Sequence, residues 1–268
     1  MIQQFYISTS ALGVYQRMMV NITNNIANAQ TPGFKRSRVE LESLFASALE
    51  EALQDWDSTT GEPTNKTKRR VSYGMGVKIA DIRQDFREGQ IQTTNKPLDL
   101  AIRGEGFFRF RMGDGTIAYG RAGNLQKDYQ GYMTDPNGYV VDPPIRIPEN
   151  TTTITIDENG RVFAAQNNEA QGKEVGQMLL ARFENPSGLV PMGQNLYRET
   201  ELSGEPILES AGTSIAGKIS QYSLEFSNVN VIDELMQMVI TQRSFELATK
   251  AILTGNDMLK AAEDIAKT

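Results

Sequence analysis

An apolar residue recurs at every seventh position near the end of the chain, and this repeat limits the possible folds more than any other feature. The row consists of Val231, Met238, Phe245, Ile252 and Leu259. Seven residues are close to two helical turns, so the row lies along one side of an α-helix and must be buried against another surface. The alternate row consists of Leu235, Gln242, Thr249 and Asn256. The spacing predicts a helix over about residues 228–266, with Asn230 as its N-cap.

A second amphipathic helix is predicted at the other end of the chain, over residues 2–30. Its apolar positions repeat every seven residues at Phe5, Leu12, Met19 and Ile26, with Tyr15 and Ile22 between them. We expect the helix to end at Thr31-Pro32-Gly33, because the residue before a proline avoids the α region and glycine readily takes the left-handed conformation of helix ends. Five of the ten residues 21–30 carry side-chain amides, which weaken an isolated helix. This helix therefore needs contacts with other elements to persist.

The sequence between the two helices is typical of an all-β domain. Clusters of Gly, Pro, Asn and Asp separate short runs rich in Val, Ile, Phe and Thr. Hairpins or strands are predicted over residues 107–119, 139–141, 153–163 and 177–183. A helix is predicted over residues 39–53, and a polar loop over residues 58–70.

The predicted fold class is α+β. The N- and C-terminal helices are expected to form a coiled-coil-like assembly domain, next to a central, mostly antiparallel all-β domain. The predicted divisions are residues 1–36 for the N-terminal helix, 37–75 for a helix and an extended polar loop, 76–225 for the β domain and 226–268 for the C-terminal helix.

The composition excludes most familiar chemistries. The 268 residues include no Cys and no His, so disulfides, iron–sulfur clusters, Cys/His zinc sites and imidazole-based catalytic triads are all ruled out. The densest acidic spacing, at Asp81, Asp85 and Glu88, is interleaved with Arg83 and Arg87. A solvated or salt-bridged surface is favoured there over a catalytic pair. We predict no enzyme activity and no catalytic, metal-binding or cofactor-binding residue.

Charge and hydropathy also restrict the partners. The net charge of −6 argues against a nucleic-acid-binding face. No apolar run approaches the ~20 residues that span a membrane, so direct membrane insertion is not expected. The first residues lack the basic and apolar regions of a cleaved signal peptide.

The two apolar helices have two possible roles. They can pair with each other as an intramolecular hairpin that caps the β domain, or they can pack against copies of the same chain in a polymer. Polar residues at core-type positions of both helices (Ser8, Gln242, Thr249 and Asn256) cost stability but can specify packing partners, which favours assembly.

Three segments resemble motifs of the bacterial flagellar rod and hook protein family. The N-terminal one is NNIANAQTPGFKR at residues 24–36, and the C-terminal one is SNVNV at 227–231 followed by QRSFE at 242–246. NKPLDLAIRGEGFF at 95–108, continued by RAGNL at 121–125, is similar to the central motif of the family. The heptad rows and these motifs together predict assembly contacts at Phe5, Leu12, Tyr15, Met19, Ile22, Asn25, Ile26, Asn28, Thr31, Pro32, Gly33 and Phe34, and at Ser227, Asn228, Val229, Asn230, Val231, Leu235, Met238, Gln242, Arg243, Phe245, Glu246, Ile252 and Leu259.

The resemblance implies a structural subunit that polymerises helically. Such a subunit would cross the periplasm as part of the basal body, and the type III export apparatus would deliver it without cleaving a signal peptide. Its expected partners are copies of itself, other axial rod and hook proteins and the basal-body rings. The chain length and the GMGV element at 74–77 are most like distal rod subunits. The alternatives are a proximal rod subunit or, in a different class, a β-rich extracellular binding module such as an adhesin.

Overall fold

The computed structural model describes residues 2–45, 74–166, 172–213 and 216–266. The predicted polar loop over 58–70 lies outside the described residues. The chain divides into two compact units. Unit 1 contains the described residues of 1–23, 39–82 and 235–268, and unit 2 contains those of 24–38 and 83–234.

The described residues form two long helices, eighteen strands and a 3₁₀ turn at Pro186–Gly188. In chain order the elements are α1 (Ile2–Ala27), β1 (Ser37–Phe45), β2 (Gly74–Gln84), β3 (Ile91–Thr93), β4 (Leu100–Arg103), β5 (Phe107–Arg111), β6 (Ile117–Gly120), β7 (Gln126–Lys127), β8 (Met133–Thr134), β9 (Val140–Val141), β10 (Thr151–Ile156), β11 (Arg161–Gln166), β12 (Lys173–Gln177), β13 (Leu179–Arg182), β14 (Val190–Gly193), β15 (Leu196–Arg198), β16 (Ile207–Ser210), β17 (Lys218–Gln221), β18 (Ser223–Glu225) and α2 (Val231–Ala266).

The prediction of an α+β protein with mostly antiparallel sheets is confirmed. Both predicted hairpins are present: β5 pairs with β6 from Phe108↔Gly120 to Arg111↔Ile117, and β10 pairs with β11 up to Ile156↔Val162, each antiparallel. The turn residues set these local pairings, because a short Gly- or Asn-containing connection leaves only an antiparallel return.

Unit 2 contains one large sheet and three smaller ones. The large sheet runs in the order β14-β15-β6-β5-β9-β8-β7, and β13 joins it by pairing with β5 on one side and with β16 on the other. The smaller sheets are β10-β11-β12, β17-β4 and β18-β3. The predicted strand over 177–183 is divided at Met178, whose N–H donates to the Gly160 carbonyl at 2.7 Å, so β12 and β13 enter different sheets.

The core of unit 2 follows from the alternation of side chains along β5. Phe108 and Phe110 point into the main cluster, which also contains Leu100 and Ile102 of β4. Phe107, on the opposite face, joins a second cluster in which aromatic rings meet edge to face. The strand β5 therefore contributes side chains to both hydrophobic clusters.

The predicted helix over 39–53 is wrong for the part that is described. Residues 39–45 belong to β1, which pairs with β2 in a two-stranded sheet, and residues 46–53 lie outside the described residues. Val39 and Leu41 alternate with Glu40 and Glu42, and a period of two suits a strand.

The long helices contribute most of their length to unit 1. The predicted C-terminal helix begins at Val231, and the Asn230 side-chain oxygen accepts the Ile232 N–H at 3.1 Å, which confirms the N-cap. α1 ends at Ala27, and Gly33 has the left-handed φ of +69° expected after the helix. Within the described residues, neither helix combines the length and apolar character needed to cross a membrane.

Candidate functional site

The N- and C-terminal motifs meet in unit 2 and form a buried polar cluster. We call it the terminal clasp, and its members are Asn25, Arg36, Ser37, Asn228 and Glu234. Asn25 and Glu234 are separated by 209 positions in sequence, yet Asn25 Nδ2 donates to Glu234 Oε2 at 3.2 Å. The clasp thus joins the end of α1 to the start of α2.

Two asparagine side chains in the terminal clasp form hydrogen bonds with backbone N–H and C=O groups. Asn25 is 1% exposed; its Nδ2 donates to the Ser37 carbonyl at 2.9 Å, and its Oδ1 accepts the Ser37 N–H at 3.0 Å. Asn228 accepts the Arg36 N–H at 2.9 Å and donates to the Asp85 carbonyl at 2.8 Å. An amide suits both positions because it supplies a donor and an acceptor at once, and buried backbone groups need such partners.

Glu234 completes the clasp with a charge. Its carboxylate is 1% exposed and forms an ion pair with Arg36 Nε at 2.5 Å. Glu234 also lies in the first turn of α2, where the helix dipole stabilises negative charge.

A second buried cluster adjoins the N-terminal motif, and we call it the buried triad: Lys35, Arg121 and Glu225. Lys35 Nζ donates to Glu225 Oε1 and to the Arg87 carbonyl, both at 2.6 Å. Arg121 lies 3.5 Å from Glu225 Oε2, and its guanidinium donates to the Gly104 carbonyl at 2.8 Å.

Burial sets the ionisation of the triad. Loss of solvation lowers the pKa of Lys35 below its ordinary value, and the charge of Glu225 opposes that change. Burial lowers the pKa of Arg121 in the same way. Two cations therefore depend on one buried carboxylate, and removal of a single partner from such a group is strongly destabilising.

The helix α2 carries apolar rows on two opposite sides. Met238, Phe245 and Ile252 of the heptad row are half-buried. The other row, called the outer row here, consists of Met236, Ile240, Leu247, Met258 and Ile265, each between 55% and 78% exposed. At 100° per residue the outer row stays within about 40° and lies about 160° from the heptad row.

The two helices also contact each other within unit 1. Gly255 of α2 faces the Phe5 ring of α1, and an added Cβ at this glycine would lie 3.3 Å from the ring. Beside this contact is a cavity of about 390 Å³, lined by Ile7, Ser8, Ala251, Thr254, Gly255 and Met258.

The structure distributes the residues assigned to assembly over both units, and the assignment remains a prediction. Ile22, Asn25, Gly33 and Ser227 are buried. Phe5, Leu12, Tyr15, Met19, Ile26, Asn28, Thr31, Pro32, Phe34, Asn228, Val229, Met238, Phe245 and Ile252 are half-buried. Asn230, Val231, Leu235, Gln242, Arg243, Glu246 and Leu259 are exposed.

Several acidic side chains in the described residues are engaged in structural pairs. Asp85 accepts hydrogen bonds from the Arg87 guanidinium, which holds the pKa of Asp85 below its ordinary value. Asp142 pairs with Arg109 at 2.9 Å and with Arg111. In the described part of the chain, no group of three or more acidic side chains is arranged to hold a metal ion.

Comparison with known proteins identifies the family. Two family models match: the D1 domain of the flagellar hook protein FlgE/F/G over residues 101–164, and the C-terminal part of the flagellar basal body rod FlgEFG protein over residues 220–265. The flagellar basal-body rod protein FlgG of Buchnera aphidicola subsp. Acyrthosiphon pisum is 37% identical over 260 residues, covering 97% of this chain and 98% of the relative. The FlgG proteins of Borreliella burgdorferi and Bacillus subtilis are 35% and 33% identical, covering 100% and 97% of both chains.

The chain belongs to the flagellar rod and hook protein family. As a member of the flagellar rod and hook family it is a structural component of the flagellar basal body. The matched C-terminal region contains most of α2, with both of its apolar rows, and Glu225 of the buried triad.

Two features of this rod-family chain were not found from the sequence. Glu225 resembles any surface glutamate, since it stands among residues of mixed polarity and nothing nearby in sequence indicates a buried cation. The outer row did carry a signal: Met236, Leu247 and Met258 are spaced by eleven residues. A template of seven residues does not detect that repeat, although eleven residues also return to one side of a helix.

Proposed function

We propose that the protein is a distal rod subunit that polymerises helically into a hollow shaft, which transmits torque and encloses an export channel. Relatives that match almost the whole chain and are each named flagellar basal-body rod protein FlgG support the distal position. Neighbouring axial proteins, the basal-body rings and the type III export apparatus are further proposed partners, supported by family membership alone.

The proposal of polymerisation rests on the exposed outer row of α2. An apolar row opposite an already half-buried one is costly to leave in water, because a helix that is apolar on both sides is stable only when both sides are covered. We propose that copies of the same chain cover the outer row. A contact between unlike surfaces that does not close on itself produces a helical filament.

Burial of the outer row supplies a free energy of the size that association requires. Burial of one large apolar side chain contributes about 1.5–3 kcal/mol, so the five side chains of the outer row contribute about 7–15 kcal/mol. The loss of rotational and translational freedom on association costs a comparable ~4–15 kcal/mol. Burial of the outer row therefore roughly balances the cost of association, so we expect assembly only above a critical concentration of subunits.

The test compares purified wild-type protein with Leu247→Asp in the outer row and Lys250→Asp, which places the same acidic side chain at an exposed, already polar position about 60° from Leu247 around α2. Electron microscopy and sedimentation give the critical concentration for filaments. We expect Leu247→Asp to raise it at least tenfold and Lys250→Asp to leave it within about threefold. Circular dichroism should show unchanged unfolding of the β sheets in both variants.

The same variants can be tested in a bacterium that lacks its own FlgG. Wild-type and Lys250→Asp chains should restore motility, and Leu247→Asp should not. Filament growth by Leu247→Asp at the wild-type concentration would contradict the role of the outer row. Restoration only in a strain that lacks a proximal rod subunit would contradict the distal position.

A further inference from the structure

The C-terminal segment of unit 2, residues 217–234, contributes buried side chains of β17 and β18 to that unit although it comes last in its sequence. Its strand β17 pairs antiparallel with β4, from Lys218↔Arg103 to Gln221↔Leu100. Leu100 and Ile102 of β4 have no solvent-exposed surface. The next strand, β18, pairs with β3. Within the described residues, the ladder partners of the buried strand β4 and of β3 thus come from the end of the unit.

Backbone contacts hold this segment at close range. A Cβ added to Gly89 would lie 1.9 Å from the Phe226 carbonyl oxygen, and one added to Gly217 would lie 2.7 Å from the Arg103 carbonyl oxygen. The Phe226 N–H donates to the Gln90 carbonyl at 2.8 Å. The absence of a Cβ at these two glycines permits the close approach of the segment to its neighbours.

The Glu225 carboxylate in this segment also supplies the counter-charge of two buried cations. Glu225 is the carboxylate within 4 Å of both Lys35 and Arg121, at 2.6 Å and 3.5 Å, and its Oε1 also accepts the Gly89 N–H at 2.8 Å. Without the segment, two buried cations would lose this counter-charge. The partners are far apart in sequence, 190 positions for Lys35 and Glu225, so they meet only after long-range closure of the chain.

We propose that residues 217–234 are the keystone of unit 2: native structure in this unit forms only when the segment docks between the N-terminal segment 24–38 and β4. A chain whose residues from 217 onward are missing, or are held by another protein, does not acquire a folded unit 2. The device delays folding until the whole chain is available. It is independent of polymerisation, since every contact involved lies within one unit of one chain.

Native-state hydrogen exchange on the full chain tests the proposal. If the segment is a keystone, the amides of β17 and β18 exchange only by the global opening that also exposes β4 and β5, and the protection factors of these strands agree within about tenfold. Exchange of β17 and β18 at least 100-fold faster than that of β5 would overturn the proposal, because the segment would then leave a folded remainder behind.

Variants of the buried triad provide a second readout. Glu225→Gln should lower the protection factors of β4, β5 and β17 together, by about 100-fold or more, because it leaves buried cations unpaired. The double variant Lys35→Met/Glu225→Gln should recover at least tenfold, and it carries the test if the single variant fails to fold. Glu158→Gln, which removes the exposed ion pair with Lys218, is the control and should change protection less than threefold.

A loss confined to β17 and β18 in Glu225→Gln would overturn the proposal, since the segment would then be a local element. Absence of recovery in the double variant would likewise contradict the role of the buried charges. Neither result would affect the proposed polymerisation, which is measured by filament growth.

Discussion

Replacement of Gly33 by alanine tests how the terminal motifs are held. Gly33 has a φ of +69°, and its N–H donates to the Glu225 carbonyl at 2.8 Å. A Cβ built at this position would lie 2.4 Å from the Ala122 backbone nitrogen and 2.6 Å from the Ala122 Cα. The obstacle is main chain, which cannot rotate away as a flexible side chain can, so the two segments must separate.

The magnitude follows from two terms. A left-handed conformation costs a non-glycine residue about 1–2 kcal/mol. Separation of the segments also weakens the hydrogen bond to Glu225, which contributes about 0.5–1.5 kcal/mol. We expect Gly33→Ala to lower the free energy of unfolding by about 1.5–3.5 kcal/mol, the sum of these two terms, and imperfect packing adds to this loss.

A matched variant separates the two terms. Gly138 also has a positive φ, of +89°, but an added Cβ there would meet no atom within 4 Å. Gly138→Ala should therefore cost only the conformational term, about 1–2 kcal/mol. The difference between the two variants measures the close approach of Gly33 to Ala122.

Urea unfolding of dilute protein, followed by circular dichroism, gives both free energies under conditions where subunits do not associate. Equal losses in the two variants would refute the reasoning, because the contact with Ala122 would then contribute nothing. A dilute Gly33→Ala protein as stable as wild type would assign this glycine to contacts between subunits instead.

Two further predictions concern Asp85 and Asn230. The Arg87 hydrogen bonds hold the pKa of Asp85 below its ordinary 3.8, so their contribution to stability is present above pH 3.8 and is lost as the pH falls through the lower, folded-state pKa. The difference in free energy of unfolding in urea between wild type and Asp85→Asn should therefore shrink from pH 7 to pH 3. A constant difference would contradict this prediction. Asn230→Ala should destabilise the start of α2 by about 1 kcal/mol, and Asn230→Ser by much less, since the serine hydroxyl can also cap the helix. Equal losses of stability in the thermal unfolding of the two variants would show that the cap oxygen is unimportant.

Local signals in the sequence were sufficient for some of the regular elements. The C-terminal helix and its cap at Asn230 follow from a repeat and a capping residue within one segment, and both hairpins follow from their turn residues. The helix prediction over residues 39–45 failed although apolar and acidic residues alternate at 39–42 with the period of a strand; so short an alternation is a weak signal, and the pairing of β1 with β2 establishes the strand.

The heptad row of α2 has a property that residues close in sequence do not determine, namely the surface that covers it. The repeat of seven correctly places an apolar row along α2, but it does not state which surface covers that row and does not detect the outer row on the opposite side. In the structure Phe245 is half-buried and Leu247, on the opposite side, is the more exposed. The surface left for other molecules is therefore visible only after the chain has covered part of itself.

The sequence by itself determined the α+β class, the position of the C-terminal helix and the family motifs, because periodicity, capping and turn chemistry act between residues close along the chain. Only the tertiary structure decided that Lys35, Arg121 and Glu225 share one buried site and that Asn25 reaches Glu234 across 209 positions. Burial and counter-charge are properties of the folded arrangement, so a lysine in a motif and a glutamate in a strand reveal their pairing only when long-range closure brings them together.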